Sequence, residues 1–389
     1  MVLLLVFAVT LIIAVLLSAL AERTVLSATV LFLVAGVLLG SGWLGGSLAP
    51  NVEILNWLAQ LALFSVLFTD GMHAGGTPAP VRSRGLVVRA LAAGMPLTIA
   101  GIAAGAHYLA GFTWLEGLLL GAVLSPTDPV FVAAIFRFEA VPLRLRRLLN
   151  VESGINDGVA LPLVIILLAA VGGHSPHLML VAWELVAGIG IGIVIPWVGI
   201  RLEASRYFGS AGVFRPLNAF ALGLLVLAVS LVVHVNIYLA AFGAGVTVAR
   251  MSPALHASFA QFGEIVAELL KLAAILIFGL EFAPSLLLPL SLGDVAVVVL
   301  SLFLVRLVAI AIAFLGSGLP AGETLAAGWF GPKGFASVVY GLMILGLGTD
   351  AAEAMGHLVG LTIVLSIVVY SSTDILVGRW FQRRSALAG

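Results

Sequence analysis

The run Asn150-Val151-Glu152-Ser153-Gly154-Ile155-Asn156-Asp157-Gly158 sets two carboxylates, a hydroxyl and an amide within a few turns of an otherwise apolar stretch. Residues four apart share a helix face, so Ser153 and Asp157 form one polar edge and Glu152 and Asn156 the adjacent one. A carboxylate withdrawn from water holds either a proton or a cation, and the two compete. Hard cations take oxygen ligands, which Asp157, Ser153 and an unwound backbone can provide. Glu152 reads differently. Its expected role is a structural ion pair with a basic residue of another segment, Arg306, which holds Asn156 and Asp157 in place without itself cycling protons.

The elements that carry these residues belong in a bilayer. Of 389 residues, 62% are hydrophobic and 9% charged, against roughly 25% charged in soluble domains. Net charge is zero, which argues against a nucleic-acid partner. There is no cysteine, hence no disulfide framework and no thiolate metal site. The first apolar run, Met1 to Ala21, lacks the basic start of a signal peptide. About thirteen segments reach the ~20 residues a spanning helix needs. They start near Val2, Val25, Ile54, Gly85, Trp114, Asn150, Met179, Leu217, Ile237, Gly263, Asp294, Glu323 and His357. The predicted fold is an all-α polytopic membrane protein.

Basic residues fix the expected orientation. Arg23, then Arg82, Arg84 and Arg89, then Arg137, Arg144, Arg146 and Arg147, follow spans 1, 3 and 5. Arg201, Arg206 and Arg215 follow span 7, Arg250 follows span 9, and Arg379, Arg383 and Arg384 follow span 13. By the positive-inside rule these loops and the C-terminus are cytoplasmic, with the N-terminus outside. The expected location is the cell (inner) membrane.

Lys271, Arg306 and Lys333 remain inside spans, where charge is expensive and usually functional or paired. Two spans also carry helix breakers at mid-length. Span 5 contains Ser125-Pro126-Thr127-Asp128-Pro129 and span 12 contains Gly331-Pro332-Lys333-Gly334. Proline removes a backbone donor, and irregular backbone at membrane depth survives only when buried in protein or lining a cavity. Spans seven apart cross the membrane in opposite directions. Discontinuous helices at matching places in inverted repeats point to a transporter's ion site. The expected division is a first repeat at 1–172, a linking span at 173–215, a second repeat at 216–378 and a short tail at 379–389. Half-helices leave positive N-terminal and negative C-terminal ends. Asp128 is placed to neutralise the former and Lys333 the latter.

These residues resemble the sodium/proton exchanger family of the monovalent cation/proton antiporter superfamily. The likeness is carried by Pro126-Thr127-Asp128-Pro129, Glu152-Ser153-Gly154-Ile155-Asn156-Asp157, Arg306 and Gly331-Pro332-Lys333-Gly334, in that order on spans 5, 6, 11 and 12. It implies a homodimer, each protomer with a dimerisation domain and a mobile core that moves like an elevator. It implies an ion site of Asp157, Ser153 and Thr127, with Glu152 paired to Arg306. Asp70, in Leu67-Phe68-Thr69-Asp70-Gly71, is similar to an acidic position near that site in other members; read alone it is equally a solvated carboxylate at a span end. Many members have arginine where this chain has Lys333, and lysine offers a point charge rather than a bidentate fork. The related electrogenic group has two aspartates where this chain has Asn156-Asp157. A single titrating acid holds a cation or a proton, not both, so electroneutral exchange is expected. The partners are then a monovalent cation (Na⁺, Li⁺ or K⁺) and protons, and no cofactor is expected. A potassium/proton antiporter and a sodium-coupled solute symporter of the same fold are the alternatives.

Other polar positions have ordinary readings. Glu268 with Lys271 reads as an intrahelical pair and Glu264 as exposed. Glu281 lies near the outer end of span 10. His73, His174, His177, His256 and His357 sit near span ends, while His107 and His234 are deeper without ligand partners. Trp57, Trp114, Trp183 and Trp380 read as interfacial anchors. Neither His-Glu-x-x-His nor Gly-x-Ser-x-Gly occurs, which counts against a membrane hydrolase. A channel would need no protonatable group.

Overall fold

The computed structural model describes residues 2–17, 28–40, 52–76, 81–128, 140–173, 178–205, 214–283 and 290–388. The span start at Val25, together with Arg23, Pro129, Arg137, His174, His177 and Arg206, lies outside them. All regular structure among the described residues is helical.

In chain order the helices are α1 (Val2–Leu16), α2 (Ala28–Gly40), α3 (Val52–Gly76), α4 (Val81–Arg89) and α5 (Met95–Ala110), the last two joined by a π-helical turn at Ala90–Gly94. Then come α6 (Trp114–Leu124), α7 (Leu143–Val171), α8 (Leu178–Glu203), α9 (Phe214–Val233), α10 (Ile237–Met251) and α11 (Pro253–Phe282). α12 (Leu292–Val299) and α13 (Val305–Ala313) flank a second π turn at Leu300–Leu304. α14 (Ala321–Trp329), α15 (Phe335–Leu345) and α16 (Asp350–Ala388) complete the chain. Among the described residues, six continuous helical stretches are long and apolar enough to cross a membrane: Gly85–Ala110, Leu143–Val171, Met179–Glu203, Pro216–Val233, Leu292–Ala313 and Asp350–Tyr370.

Helix starts reflect local chemistry that hydropathy does not register. The first four N–H groups of a helix lack partners within it. At α6 the Thr113 hydroxyl accepts from Glu116 N–H (3.3 Å) and Glu116 accepts from Thr113 N–H (2.8 Å), a reciprocal capping box. Ser291 and Asp294 repeat the arrangement at α12. Asn236 caps α10 by accepting from Tyr238 and Leu239 N–H. Ser252 accepts from Leu255 N–H, and Pro253 occupies the first helical position, where its missing N–H costs nothing. α11 therefore begins well before the apolar stretch at Gly263. α7 begins at Leu143 rather than Asn150 for a related reason. Its first turns carry Arg144, Arg146 and Arg147, good helix formers that no hydrophobicity window selects.

The chain divides into two compact units, with divisions falling inside α3, α7 and α11. Unit 1 comprises Met1–Asn56, Pro80–Asn156 and Leu272–Gly389; unit 2 comprises Trp57–Ala79 and Asp157–Lys271. In unit 1 the two helices with π turns pack together, Gly94 against Ile310, Gly101 against Val305 and Gly293 against the backbone of Leu109. One end of this unit is filled by Leu86 and Val87 of α4, Ala90 of the π turn, Leu145, Leu148 and Leu149 of α7, Ala326 of α14 with Phe314 and Phe330 beside it, and Phe381 of α16. Arg89 donates to Leu315 O at that end (2.7 Å). In unit 2, α8 lies on α10, with Gly188 and Gly192 against the backbone of Asn236 and Ala240. α3 lies on the same helix through Gly71 and Gly75.

Candidate functional site

The break after α6 is where unit 1 concentrates its polar groups. α6 ends at Leu124, and its last carbonyls have no helical partners. Ser337 of α15 donates its hydroxyl to Val123 O at 2.7 Å, and Ser125 donates to Ala122 O at 3.3 Å. The chain then runs without regular structure through Pro126, Thr127 and Asp128, all buried.

Asp128 ties this segment to the second break. Its N–H donates to Pro332 O (3.1 Å), and its carboxylate accepts from the N–H of Phe335 (3.3 Å), the first residue of α15. A carboxylate at the positive end of a helix is well placed electrostatically. Gly334 permits the approach, since a methyl group there would overlap the Cβ of Asp128.

Arg306 and Glu152 meet between α13 and α7. Arg306 Nη2 donates to Glu152 Oε1 at 2.8 Å, with both side chains about as buried as the apolar core. The same nitrogen lies 3.5 Å from Ala327 O in the last turn of α14, so the guanidinium faces the negative end of that half-helix. Gly331 is the second glycine imposed by close approach, because a methyl group would strike the Arg306 side chain. Lys333 is fully buried, its backbone N–H donates to Ser366 Oγ (2.7 Å), and its ammonium has no hydrogen-bond partner among the described residues. The sequence-based expectation put Lys333 at the carbonyl end of a half-helix. The contact with those carbonyls is made by Arg306, whose Nη2 reaches Glu152 and Ala327 together.

Thr127 meets α7 directly. Asn156 Nδ2 donates to Thr127 Oγ1 at 2.9 Å, and the Thr127 and Ser153 hydroxyls lie 3.4 Å apart. Two hydroxyls and an amide thus converge where the non-helical segment passes α7. The buried Asn156 Oδ1 has no hydrogen-bond partner among the described residues. Asp157 follows on the same helix, one turn beyond Ser153, and is itself buried.

Within unit 2, Phe242 of α10 relates the two remaining acids. Its backbone oxygen abuts Gly71, the residue after Asp70, and its ring lies 3.8 Å from where a methyl group on Gly158, the residue after Asp157, would project. Asp70 is half-buried, and the neighbouring Thr69 hydroxyl donates to Ser65 O (2.6 Å). Lys271 pairs with Glu268, as its spacing suggests. Glu264 is exposed but meets His73 Nε2 at 3.2 Å, a partner 191 positions away. His107 stacks on Trp114 and bonds Phe112 O at 2.7 Å.

One contact has no counterpart in the sequence reading. Arg144 Nε donates to Glu323 Oε2 at 2.6 Å while Nη2 bonds Oε1, joining α7 to the first turn of α14. The available signal was Glu323 itself, an acid at the start of an apolar span and therefore in need of a partner.

Comparisons with known proteins agree with this architecture. The sodium proton antiporter MjNhaP1 from Methanocaldococcus jannaschii has a similar fold, with a TM-score of 0.76 over 97% of this chain and 98% of that one at 17% identity. The K(+)/H(+) antiporter NhaP of Alkalimonas amylolytica is 27% identical over 366 residues, 90% of this chain and 62% of the relative. The Na(+)/H(+) antiporter ApNhaP of Aphanothece halophytica is 36% identical over 102 residues, 25% of this chain and 20% of the relative. The chain thus spans less than two thirds of the length of these curated relatives. The family model for the transmembrane part of sodium/hydrogen exchangers matches residues 8–377. This multi-pass membrane protein belongs to the sodium/hydrogen exchanger family.

Proposed function

We propose that this protein exchanges a monovalent cation for a proton, with Asp157 as the group that alternates between them. The observation that carries the reading is the convergence of Thr127, Ser153 and Asn156 at a helix break, one turn from a buried acid. Hydroxyl and carbonyl oxygens suit a hard cation that has shed part of its water. Asn156 donates to Thr127 rather than titrating, so one acid serves one ion and the exchange is electroneutral. Glu152 is held by Arg306 and keeps its structural role through the cycle. Asp128 and Arg306 stabilise the opposed half-helix ends, with Lys333 supplying further positive charge beside the break. Asp70 belongs to the approach to the site.

The same reading includes about thirteen spans, inverted repeats, alternating access by a moving core, a homodimer, an inner-membrane location and a cytoplasmic C-terminus. The arginine-rich end of unit 1 is the cytoplasmic one on this view. Sodium is the first candidate cargo. Potassium is favoured by the name of the relative that aligns with 90% of the chain.

Proteoliposomes enclosing a pH dye test the reading. With a proton gradient imposed, Na⁺, Li⁺ and K⁺ are added in turn. At least one should collapse the gradient without responding to membrane potential, and Asp157→Asn should abolish the response. Proton movement that survives in the Asp157→Asn protein removes the reading, and a strong response to potential removes electroneutrality.

A further inference from the structure

We propose that Arg144 and Glu323 are positioning residues of the exchange site, setting cation affinity from a distance. The inference rests on the exchange reading above and adds residues to it.

Four contacts form a closed ring within unit 1. Asn156 and Ser153 of α7 meet Thr127. The next residue, Asp128, is joined through its N–H to Pro332 in the second break. α14 leads into that break from Ala321–Trp329. The Arg144–Glu323 pair then returns from α14 to α7. Nearer the break, Arg306 links Ala327 O to Glu152. The nine-residue half-helix α14 is therefore strapped to α7 near both of its ends.

The geometry indicates position rather than ion contact. Arg144 precedes Ser153 by nine residues, about 13 Å along the axis and roughly half a turn around it. The pair grips α7 on the side away from Ser153. Glu323 also gives up the usual duty of a first-turn acid, because α14 has no side-chain N-cap and its carboxylate is committed to Arg144. Bidentate arginine–carboxylate pairs fix orientation as well as distance; Glu323 is buried while Arg144 is half exposed. Without this edge the ring opens, α14 and its break gain freedom relative to α7, and Thr127 loses its fixed distance from Ser153 and Asn156. Loosened ligands should weaken cation binding while Asp157 keeps its chemistry.

The test uses full-length protein in the same proteoliposomes, normalised to folded protein by gel filtration. Glu323→Gln and Arg144→Gln should raise the half-saturating cation concentration about fivefold or more with the maximal rate within about twofold, the signature of lost binding rather than lost chemistry. Glu323→Asp, which keeps the charge but shortens the reach, should lie between. The exchanged pair Arg144→Glu with Glu323→Arg should recover most of the affinity. Unchanged half-saturation in folded single variants overturns the proposal, as does an affinity loss that the exchanged pair leaves in place. If none of these variants yields folded protein, the pair is a folding element and the proposal also fails. A wild-type protein that moves no protons refutes the exchange reading itself, an outcome distinct from wild-type exchange with unaltered variants.

Discussion

The two units differ in how they combine charge with backbone. Among the described residues, unit 1 buries Asp128, Glu152, Arg306, Glu323 and Lys333, whereas unit 2 buries Asp157 and Lys271. Unit 1 breaks its helices at Ser125–Asp128 and Phe330–Gly334 and bends two others with π turns, features associated with functional sites. The described helices of unit 2 continue from end to end, packed through glycine against neighbouring backbone. The contrast teaches that irregular backbone and buried charge come together. Each break frees polar groups that only charge and hydroxyls can satisfy at membrane depth.

Substitutions can break or sharpen this contrast. The largest effect is expected at Arg306→Ala, which strands Glu152 as a buried, uncompensated charge at a cost of about 3–5 kcal/mol. The thermal midpoint of the detergent-solubilised protein, followed by loss of its gel-filtration peak, should fall steeply or folded protein should be absent. Gly334→Ala comes next, since its methyl group overlaps Asp128; overpacking of about 1–3 kcal/mol should lower the same midpoint and slow exchange. Thr113→Ala removes the α6 cap and should cost about 1 kcal/mol, with exchange retained. Glu264→Gln in unit 2 removes a pair whose side chains are 45% and 57% exposed, and solvent screening leaves it worth well under about 1 kcal/mol. A midpoint shift at Glu264→Gln equal to that at Arg306→Ala would erase the distinction between the units.

The sequence displays the breaks because proline, glycine and charge inside apolar runs are conspicuous whatever the fold. Glu152 to Asp157 is legible for the same reason, four polar side chains on one helix needing no tertiary knowledge. Long-range partners are another matter. Arg144 and Glu323 are 179 positions apart, and an arginine in a short loop already has an adequate explanation as a topology marker. The role of Phe242 beside both Gly71 and Gly158 leaves no trace in composition, since one phenylalanine among 21 is indistinguishable from lipid-facing bulk. Lys333 shows the limit for near neighbours too. Which of two cations touches a half-helix end depends on side-chain reach, and the backbone at Gly331 leaves room for Arg306 to arrive first.

α16 runs for 39 residues, about 58 Å at helical rise. Its apolar part, Asp350–Tyr370, matches a hydrocarbon core of about 30 Å, and the remaining turns continue as a stiff mast held to unit 1 by the buried Phe381. In a chain without cysteine, a spin label or fluorophore on Arg383→Cys attaches at a single place. A mast rooted in unit 1 carries its label with that unit. Distances measured from it during turnover would test whether that unit travels as a rigid body, on an instrument the fold supplies.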